Sequence, residues 1–144
     1  MCKNIYLLEF ELSYRTPNVP HNNVSPTVKT QWKLPENTME MTQWIEACAN
    51  DDIAEEDVMR FDHAGRTFAI YRSPSDKFYA TDGLCTHEKI HLADGLVMDH
   101  IIECPKHNGR FDYTTGAAKG APVCVNLKTY PVKVEAGKVF INIA

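Results

Sequence analysis

The sequence predicts an all-β fold, an antiparallel sandwich or barrel. Short runs rich in Val, Ile, Phe and Tyr alternate with turn sequences from Asp57 to the C-terminus, and such runs are typical of strands. Seven or eight strands within about 90 residues are the pattern of a sandwich or barrel. The strands do not alternate with helix-length segments, which argues against a nucleotide-binding parallel sheet.

Turn sequences divide the predicted strands into hairpins. HAG, SPSD, DH and EAG each join two runs, and turns favour their Gly, Pro, Asp and Ser residues. The predicted strands are DVMRFD (57–62), RTFAIYR (66–72), KFYATD (77–82), GLVM (95–98), IIEC (101–104), FDY (111–113), KTYPVKV (128–134) and KVFINI (138–143). One helical turn is predicted in NDDIAEED (50–57), since acidic residues favour a helix N-terminus. The candidates for the sheet core are Trp44, Phe68, Tyr79 and Phe140.

The first 40 residues differ in composition from the rest. The segment TPNVPHNNVSPTVKTQWKLPENT (16–38) contains four Pro and four Asn and follows no strand or helix period, which predicts a poorly structured arm. Because Met39 and Met41 stand where a compact domain would begin, a non-native leader is the alternative interpretation. We therefore divide the chain into an arm over 1–40 and a domain over 41–144.

Charge and cysteine content limit the partners and the compartment. The net charge is −4, so nucleic acid is a poor candidate partner and a basic protein surface a better one. No apolar run is long enough to cross a bilayer. Five cysteines are an odd number and lack the dense, even pattern of a secreted disulfide framework. We expect a cytoplasmic protein with reduced thiols and no membrane partner.

One stretch, CTHEKIHLADGLVMDHIIECPKH (85–107), carries the candidate metal ligands. It places the pair Cys85 and His87 sixteen residues ahead of the pair Cys104 and His107. The predicted hairpin between them folds the chain back on itself, which brings the two pairs together on two adjacent loops.

Two thiolates and two imidazoles fit two kinds of metal site. One is a structural zinc in a tetrahedron of ligands. The other is a [2Fe–2S] cluster in which two His replace two Cys on one iron. Zinc sites of this composition generally group a Cys pair and then a His pair, whereas here each loop offers one of each. The order favours the cluster, with Cys85 and Cys104 on one iron and His87 and His107 on the other, and leaves zinc as the alternative.

The motifs CTH and CPKHNGRFD, at this separation, resemble the Rieske signature C-x-H-x₁₆-C-x-x-H, and the resemblance extends over Met41–Ala144. It implies a Rieske-type antiparallel β-sandwich with a small cluster-binding subdomain at its tip. It also implies one Rieske [2Fe–2S] cluster per chain, held by Cys85, His87, Cys104 and His107. A Pro-bearing loop near Pro122 is expected to cover the cluster.

Neighbouring positions indicate which kind of Rieske protein this is. The respiratory-chain type has a disulfide where this sequence has Ile90 and Lys106, and hydroxyl donors to the cluster sulfurs where it has Gly109 and Phe111. Without those donors the reduction potential should lie at the low end of the Rieske range, about −150 mV.

The chain is too short for the catalytic domain of a terminal oxygenase. It is similar to the small Rieske ferredoxins of bacterial multicomponent oxygenase systems, among which we expect the ferredoxins of rhizopine catabolism to be near relatives. The resemblance implies a one-electron carrier, not catalytic by itself, between a flavin-dependent reductase and a terminal oxygenase. The alternatives are a structural zinc module that binds a protein, and a Rieske-like redox sensor or reductase subunit.

Other polar residues near the motifs receive simpler interpretations. His91 and His100 are expected to be solvated loop residues, because four ligands already complete a cluster. Cys48 and Cys124 are expected to be small buried or half-buried side chains. Lys106 is a candidate for docking or for tuning the potential.

Overall fold

A computed structural model of the chain describes residues 43–144. The arm predicted over residues 1–40 lies outside the described residues, and its boundary with the domain stays a prediction.

Short antiparallel strands make up nearly all regular structure in the described part of the chain. The strands are β1 Trp44–Ala49, β2 Asp57–His63, β3 Arg66–Arg72, β4 Phe78–Asp82, β5 Leu96–Met98, β6 Ile101–Glu103, β7 Arg110–Asp112, β8 Thr129–Tyr130, β9 Val132–Glu135 and β10 Lys138–Asn142. Two 3₁₀ turns, Asn50–Asp52 and Leu92–Asp94, are the other elements. The predicted all-β class is confirmed.

The strands form three sheets, in the orders β1-β10-β9, β2-β3-β4-β8 and β5-β6-β7. All pairs are antiparallel, and β2 and β3 pair in register from Asp57 with Arg72 to His63 with Arg66. The small β5-β6-β7 sheet is the subdomain that the resemblance predicted at the tip. Strands β5 and β6 lie between the two candidate ligand pairs, and β7 follows the second pair.

Two tight hairpin turns follow the sequence rules. Ala64-Gly65 joins β2 to β3, and Ala136-Gly137 joins β9 to β10, with positive φ at all four residues. Two-residue hairpins favour this backbone because its twist matches that of the strands, and glycine adopts it without a Cβ clash.

The core divides into two clusters, one of which lies beneath the candidate site. That cluster contains Tyr71 and Tyr113, whose stacked rings are 4.5 Å apart between centroids, together with Cys85 and Cys104. The second cluster, which includes Phe68, Val139 and Ile141, packs beneath the other two sheets. The two candidate ligand cysteines therefore pack into this core, although each lies on a loop.

Among the predicted core residues only Phe68 is fully buried. Tyr79 is half-buried against the first cluster. Trp44 and Phe140 are also half-buried, and their rings flank the ammonium group of Lys133 at 4.8 and 5.5 Å. The placement of Phe140 in the core was wrong, because its neighbours in β10 occupy the inward positions and alternate residues of a strand point to opposite faces.

Two strand boundaries also differ from prediction. Strand β1 was not predicted, since WIEACA contains Ala and Glu, which strands disfavour; its pairing with β10 recruits it. The predicted strand KTYPVKV (128–134) is divided at Pro131, which has no N–H for a ladder. The predicted helical turn is present as the 3₁₀ turn at Asn50–Asp52. None of the helices in the described residues could span a membrane.

Candidate metal centre

The first ligand loop, defined as Leu84–His91, carries Cys85 and His87. The N–H of Cys85 donates to the carbonyl of Ile90 at 2.8 Å, and the carbonyl of Cys85 accepts from the N–H of Lys89 at 3.0 Å. Lys89 has a φ of 59°. The loop begins and ends at a single bridge between Leu84 and His91.

The second ligand loop, defined as Glu103–Arg110, repeats this backbone. The N–H of Cys104 donates to Gly109 at 2.8 Å, and its carbonyl accepts from Asn108 at 3.1 Å. Asn108 has a φ of 53°, so the left-handed residue occupies the same place as in the first loop. Here the loop ends belong to the β6–β7 ladder, in which Glu103 pairs with Arg110.

A third segment, the covering loop Gly120–Leu127, contacts both ligand loops. The hydroxyl of Thr86 donates to the carbonyl of Val125 at 2.9 Å. Val123 lies against Gly109, where an added Cβ would be 2.6 Å from its Cγ1. This is the Pro-bearing loop expected around Pro122, and it connects the two ligand loops on one side.

The two predicted ligand cysteines are buried and adjacent. Cys85 is 2% exposed and Cys104 is 3% exposed, and their thiols are hydrogen-bonded to each other. Burial raises the pKa of the Cys104 thiol, and the Cys85 thiol raises it further, whereas the N–H groups of Lys106 and His107 donate to its sulfur and lower it. These donors favour a thiolate, the form that binds metals.

The two predicted ligand histidines lie together at the surface. His87 is exposed, and the side chain of His107 is 43% exposed. Their ring centroids are 5.2 Å apart, and the rings are inclined at 68°. Donor atoms of these histidines and of Glu88 all lie within 4.8 Å of one another. The site therefore has sulfur inside and nitrogen outside.

An ion pair between the loops was not predicted. The ammonium of Lys106 contacts the carboxylate of Glu88, and a carboxylate oxygen of Glu88 lies 3.7 Å from Nδ1 of His107. The hydrogen bond from Lys106 lowers the pKa of Glu88. Aligned at their cysteines, the sequences of the two loops have Glu88 at the position of His107 and Lys106 at the position of His87. The sequence signal for the pair was thus an acidic and a basic residue at matching places beside the predicted ligands.

Two interpretations of nearby residues are wrong. His91, expected to be solvated, is 7% exposed and hydrogen-bonded through both ring nitrogens. Cys124, expected to be at least half-buried, is exposed, because the covering loop turns it outward while Val123 packs inward. Cys48 is buried and His100 is partly exposed, as expected.

The donor set fits a Rieske [2Fe–2S] cluster. Such a cluster takes two Cys and two His, and the structure brings the thiols of Cys85 and Cys104 together beneath the imidazoles of His87 and His107. At the position of a respiratory-chain donor, the buried side chain of Phe111 offers no hydroxyl.

Comparison with known proteins decides the family. The Rieske [2Fe-2S] domain matches residues 43–131, more than half of the chain. The chain belongs to the Rieske [2Fe–2S] family. Its cofactor is accordingly a Rieske cluster, as the order of the ligands predicted, and not the alternative zinc ion.

Relatives narrow the assignment to Rieske ferredoxins. The ferredoxin component of the naphthalene 1,2-dioxygenase system of Pseudomonas putida is 47% identical over 102 residues, which are 71% of this chain and 97% of that protein. The Sphingomonas yanoikuyae B1 ferredoxin has a TM-score of 0.65 and 36% identity, covering 69% of this chain and 98% of that one.

A third match is a complex of reduced oxygenase and oxidized ferredoxin in carbazole 1,9a-dioxygenase. Its matching chain has a TM-score of 0.67 and 34% identity, covering 70% of this chain and 94% of that one. The predicted function, a ferredoxin component that transfers electrons to a Rieske oxygenase, is confirmed by these relatives.

Proposed function

We propose that this Rieske ferredoxin binds its cluster through Cys85, His87, Cys104 and His107 and carries single electrons from a flavin-dependent reductase to a terminal oxygenase. The observation that carries the proposal is the layered donor set, with two buried thiols beneath two exposed imidazoles. A [2Fe–2S] cluster bound there would supply reversible one-electron transfer.

The protein residues divide the remaining tasks. The Cys85 and Cys104 side of the site belongs to the core, so water is excluded from it. The N–H groups of Lys106 and His107, which donate to the Cys104 sulfur, stabilise negative charge there. The exposed edges of His87 and His107 face outward, where a partner protein can approach and the distance for electron transfer is shortest.

The surroundings support a low reduction potential. Gly109 and Phe111, at the positions of the two respiratory-chain donors, offer no side-chain hydroxyl. Fewer donors to the cluster sulfurs disfavour an added electron. We expect about −150 mV by protein-film voltammetry, and a potential well above zero would contradict this interpretation.

The partner class follows from the relatives and the charge. The naphthalene and carbazole relatives are components of aromatic dioxygenase systems, which favours an aromatic-ring dioxygenase as the acceptor. Nearness to the ferredoxins of rhizopine catabolism stays a prediction. A net charge of −4 fits transient docking on basic surfaces of the oxygenase and the reductase.

We also propose a cytoplasmic location. Its support is the sparse, odd set of five cysteines, which is unlike the dense disulfide framework of a secreted protein. In the described residues Cys48, Cys85 and Cys104 carry free thiols, whereas Cys124 is disulfide-bonded.

Reconstitution tests the proposed function directly. This ferredoxin should be mixed with a flavin-dependent ferredoxin reductase, NADH and a purified aromatic-ring dioxygenase. The mixture should oxidise the dioxygenase substrate, and the oxidation should stop when the ferredoxin is omitted. Its rate should fall as salt is raised, because exposed charges steer the encounter. Product formation that is independent of the ferredoxin with every oxygenase tried would overturn the proposal.

The sensor alternative requires a different result. Protons would then couple to reduction through the ligand histidines between pH 6 and 9. A potential that does not change over this range removes that alternative and leaves the carrier.

A further inference from the structure

His91 has a buried ring at the end of the first ligand loop, and the proposed electron-carrier function assigns this residue no role. Its Nδ1 accepts a hydrogen bond from the N–H of Ala93 at 3.0 Å, and its Nε2 lies 2.9 Å from Oγ1 of Thr67. One bond reaches the 3₁₀ turn Leu92–Asp94, and the other reaches β3. The side chain therefore connects the loop end to the neighbouring sheet.

These contacts fix which nitrogen of His91 carries the proton. A backbone N–H can only donate, so Nδ1 has a free lone pair and the proton of the neutral ring is on Nε2. Nε2–H then donates to the hydroxyl of Thr67. That hydroxyl in turn donates to the carboxylate of Asp62, whose pKa it lowers. The chain of donors runs in one direction, from the ring to the carboxylate.

The two ligand loops differ in how their ends are held. The second loop continues into three consecutive pairs of the β6–β7 ladder. The first loop has only the bridge between Leu84 and His91, next to backbone hydrogen bonds that Gly83 makes with Leu92 and Thr67. The second loop runs directly into strand β7 at its C-terminal end. The first loop has no strand there, and the side chain of His91 attaches that end to β3 instead.

The packing around the ring is tight. A Cβ at Gly83 would lie 2.6 Å from Nε2 of His91 and 3.0 Å from the backbone N of Phe68. The ring thus occupies the space between the end of the loop and β3, where no larger residue than glycine fits beside it.

We propose that His91 is a positioning residue, which in its neutral Nε2–H form fastens the first ligand loop to β3 and so holds Cys85 and His87 in place. The proposal rests on the proposed function only in naming those two residues as ligands. If Nδ1 were protonated, its N–H and the N–H of Ala93 would both be donors facing each other. The hydrogen bond between them is therefore lost when the ring becomes charged.

The charges around the ring set the pH range. Arg60 and Asp62 face it from β2, and Asp94 faces it from the 3₁₀ turn. Burial lowers the pKa of His91 from 6.5, Arg60 lowers it further, and the two carboxylates partly oppose this. A histidine with a lowered pKa binds its proton more weakly in the folded state. Its stabilising effect is therefore complete above about pH 6.5 and is lost as the pH falls below that value toward the folded pKa.

Hydrogen–deuterium exchange of the cluster-loaded full chain tests the proposal, with the second ligand loop as internal control. His91→Asn keeps an acceptor for Ala93 but loses Thr67, and Thr67→Val removes only the hydroxyl. Each variant should raise exchange in residues 84–92 about tenfold at pH 7.5, because a buried hydrogen bond is lost, and leave residues 103–110 unchanged. His100→Asn is the matched control and should alter neither loop.

A pH series separates positioning from mere packing. After correction for intrinsic exchange, the parent protein should show a loosening of the first loop below pH 6.5 that His91→Asn no longer shows. The proposal is overturned if the variants exchange like the parent, if both loops loosen equally, or if the acid step survives without His91. Iron content, measured on the same samples, reports separately on whether the proposed cluster is bound.

Discussion

The two ligand loops have the same backbone but different foundations. In each loop the cysteine N–H donates to the carbonyl five residues later, and each contains one residue with positive φ. The second loop lies on a three-stranded sheet, whereas the first is held by a single bridge, two backbone hydrogen bonds of Gly83 and the side chain of His91. A ligand loop can therefore be held by a backbone ladder or by a few individual contacts. We expect side-chain substitutions to destabilise the first loop more than the second.

Removal of a proposed ligand should have the largest effect on cluster binding, and the effect should be the same in both loops. Cys85→Ala in the first loop and His107→Ala in the second should each abolish the native cluster and destabilise the fold around it, since metal binding contributes to folding. Visible absorption and iron content measure this. His100→Ala should leave both unchanged, and bleaching of that control would show that the ligands were wrongly chosen.

Alanine at the loop glycines should reveal the difference between the loops. In Gly83→Ala the new Cβ meets the buried ring of His91 and the backbone of Phe68, whereas in Gly109→Ala it meets only a terminal methyl of Val123. We expect about 1–3 kcal/mol of destabilisation for the first change and less for the second, because a side chain moves more easily than backbone. Urea unfolding of both variants measures it, and equal losses would contradict the comparison.

The covering loop should respond to a smaller change in the first ligand loop. Thr86→Val removes the hydroxyl that donates to Val125, which should cost about 1 kcal/mol and speed the loss of visible absorption in the presence of a chelator. Thr86→Ser keeps the donor and serves as the control. If both variants bleach at the parent rate, the hydrogen bond does not hold the covering loop.

The ion pair between the loops should have the smallest effect. Lys106 lowers the pKa of Glu88, so the pair stabilises the protein above pH 4.5, the ordinary value for Glu, and this contribution disappears as the pH falls through the lowered pKa. Lys106→Met should therefore unfold slightly more easily at pH 7 and like the parent at low pH. Thermal unfolding at both pH values, with and without 0.5 M salt, measures the difference. Salt screens exposed ion pairs, so it should reduce the loss of stability in Lys106→Met. A loss of stability that is the same with and without salt would show that the ion pair is not its cause.

The sequence predicted the parts of this structure that depend on local pattern. The hairpins around HAG and EAG formed because glycine accepts the turn backbone, and the ligand spacing predicted that the two Cys/His pairs come together because two loops on one hairpin must converge. Strand β1 was missed because its residues favour strands only weakly, and β10 supplies its hydrogen bonds. The burial of His91 was missed because Thr67, its partner, lies on another strand and nothing in the intervening sequence indicates their contact.

The central claim is that two irons are held unequally, by sulfur from Cys85 and Cys104 and by nitrogen from His87 and His107. Mössbauer spectroscopy of the reduced, ⁵⁷Fe-loaded protein tests it most directly. We predict two doublets of equal area, one from a ferric site bound by sulfur and one from a ferrous site bound by imidazole. A sample without iron, or two irons that both show full sulfur coordination, would contradict the account.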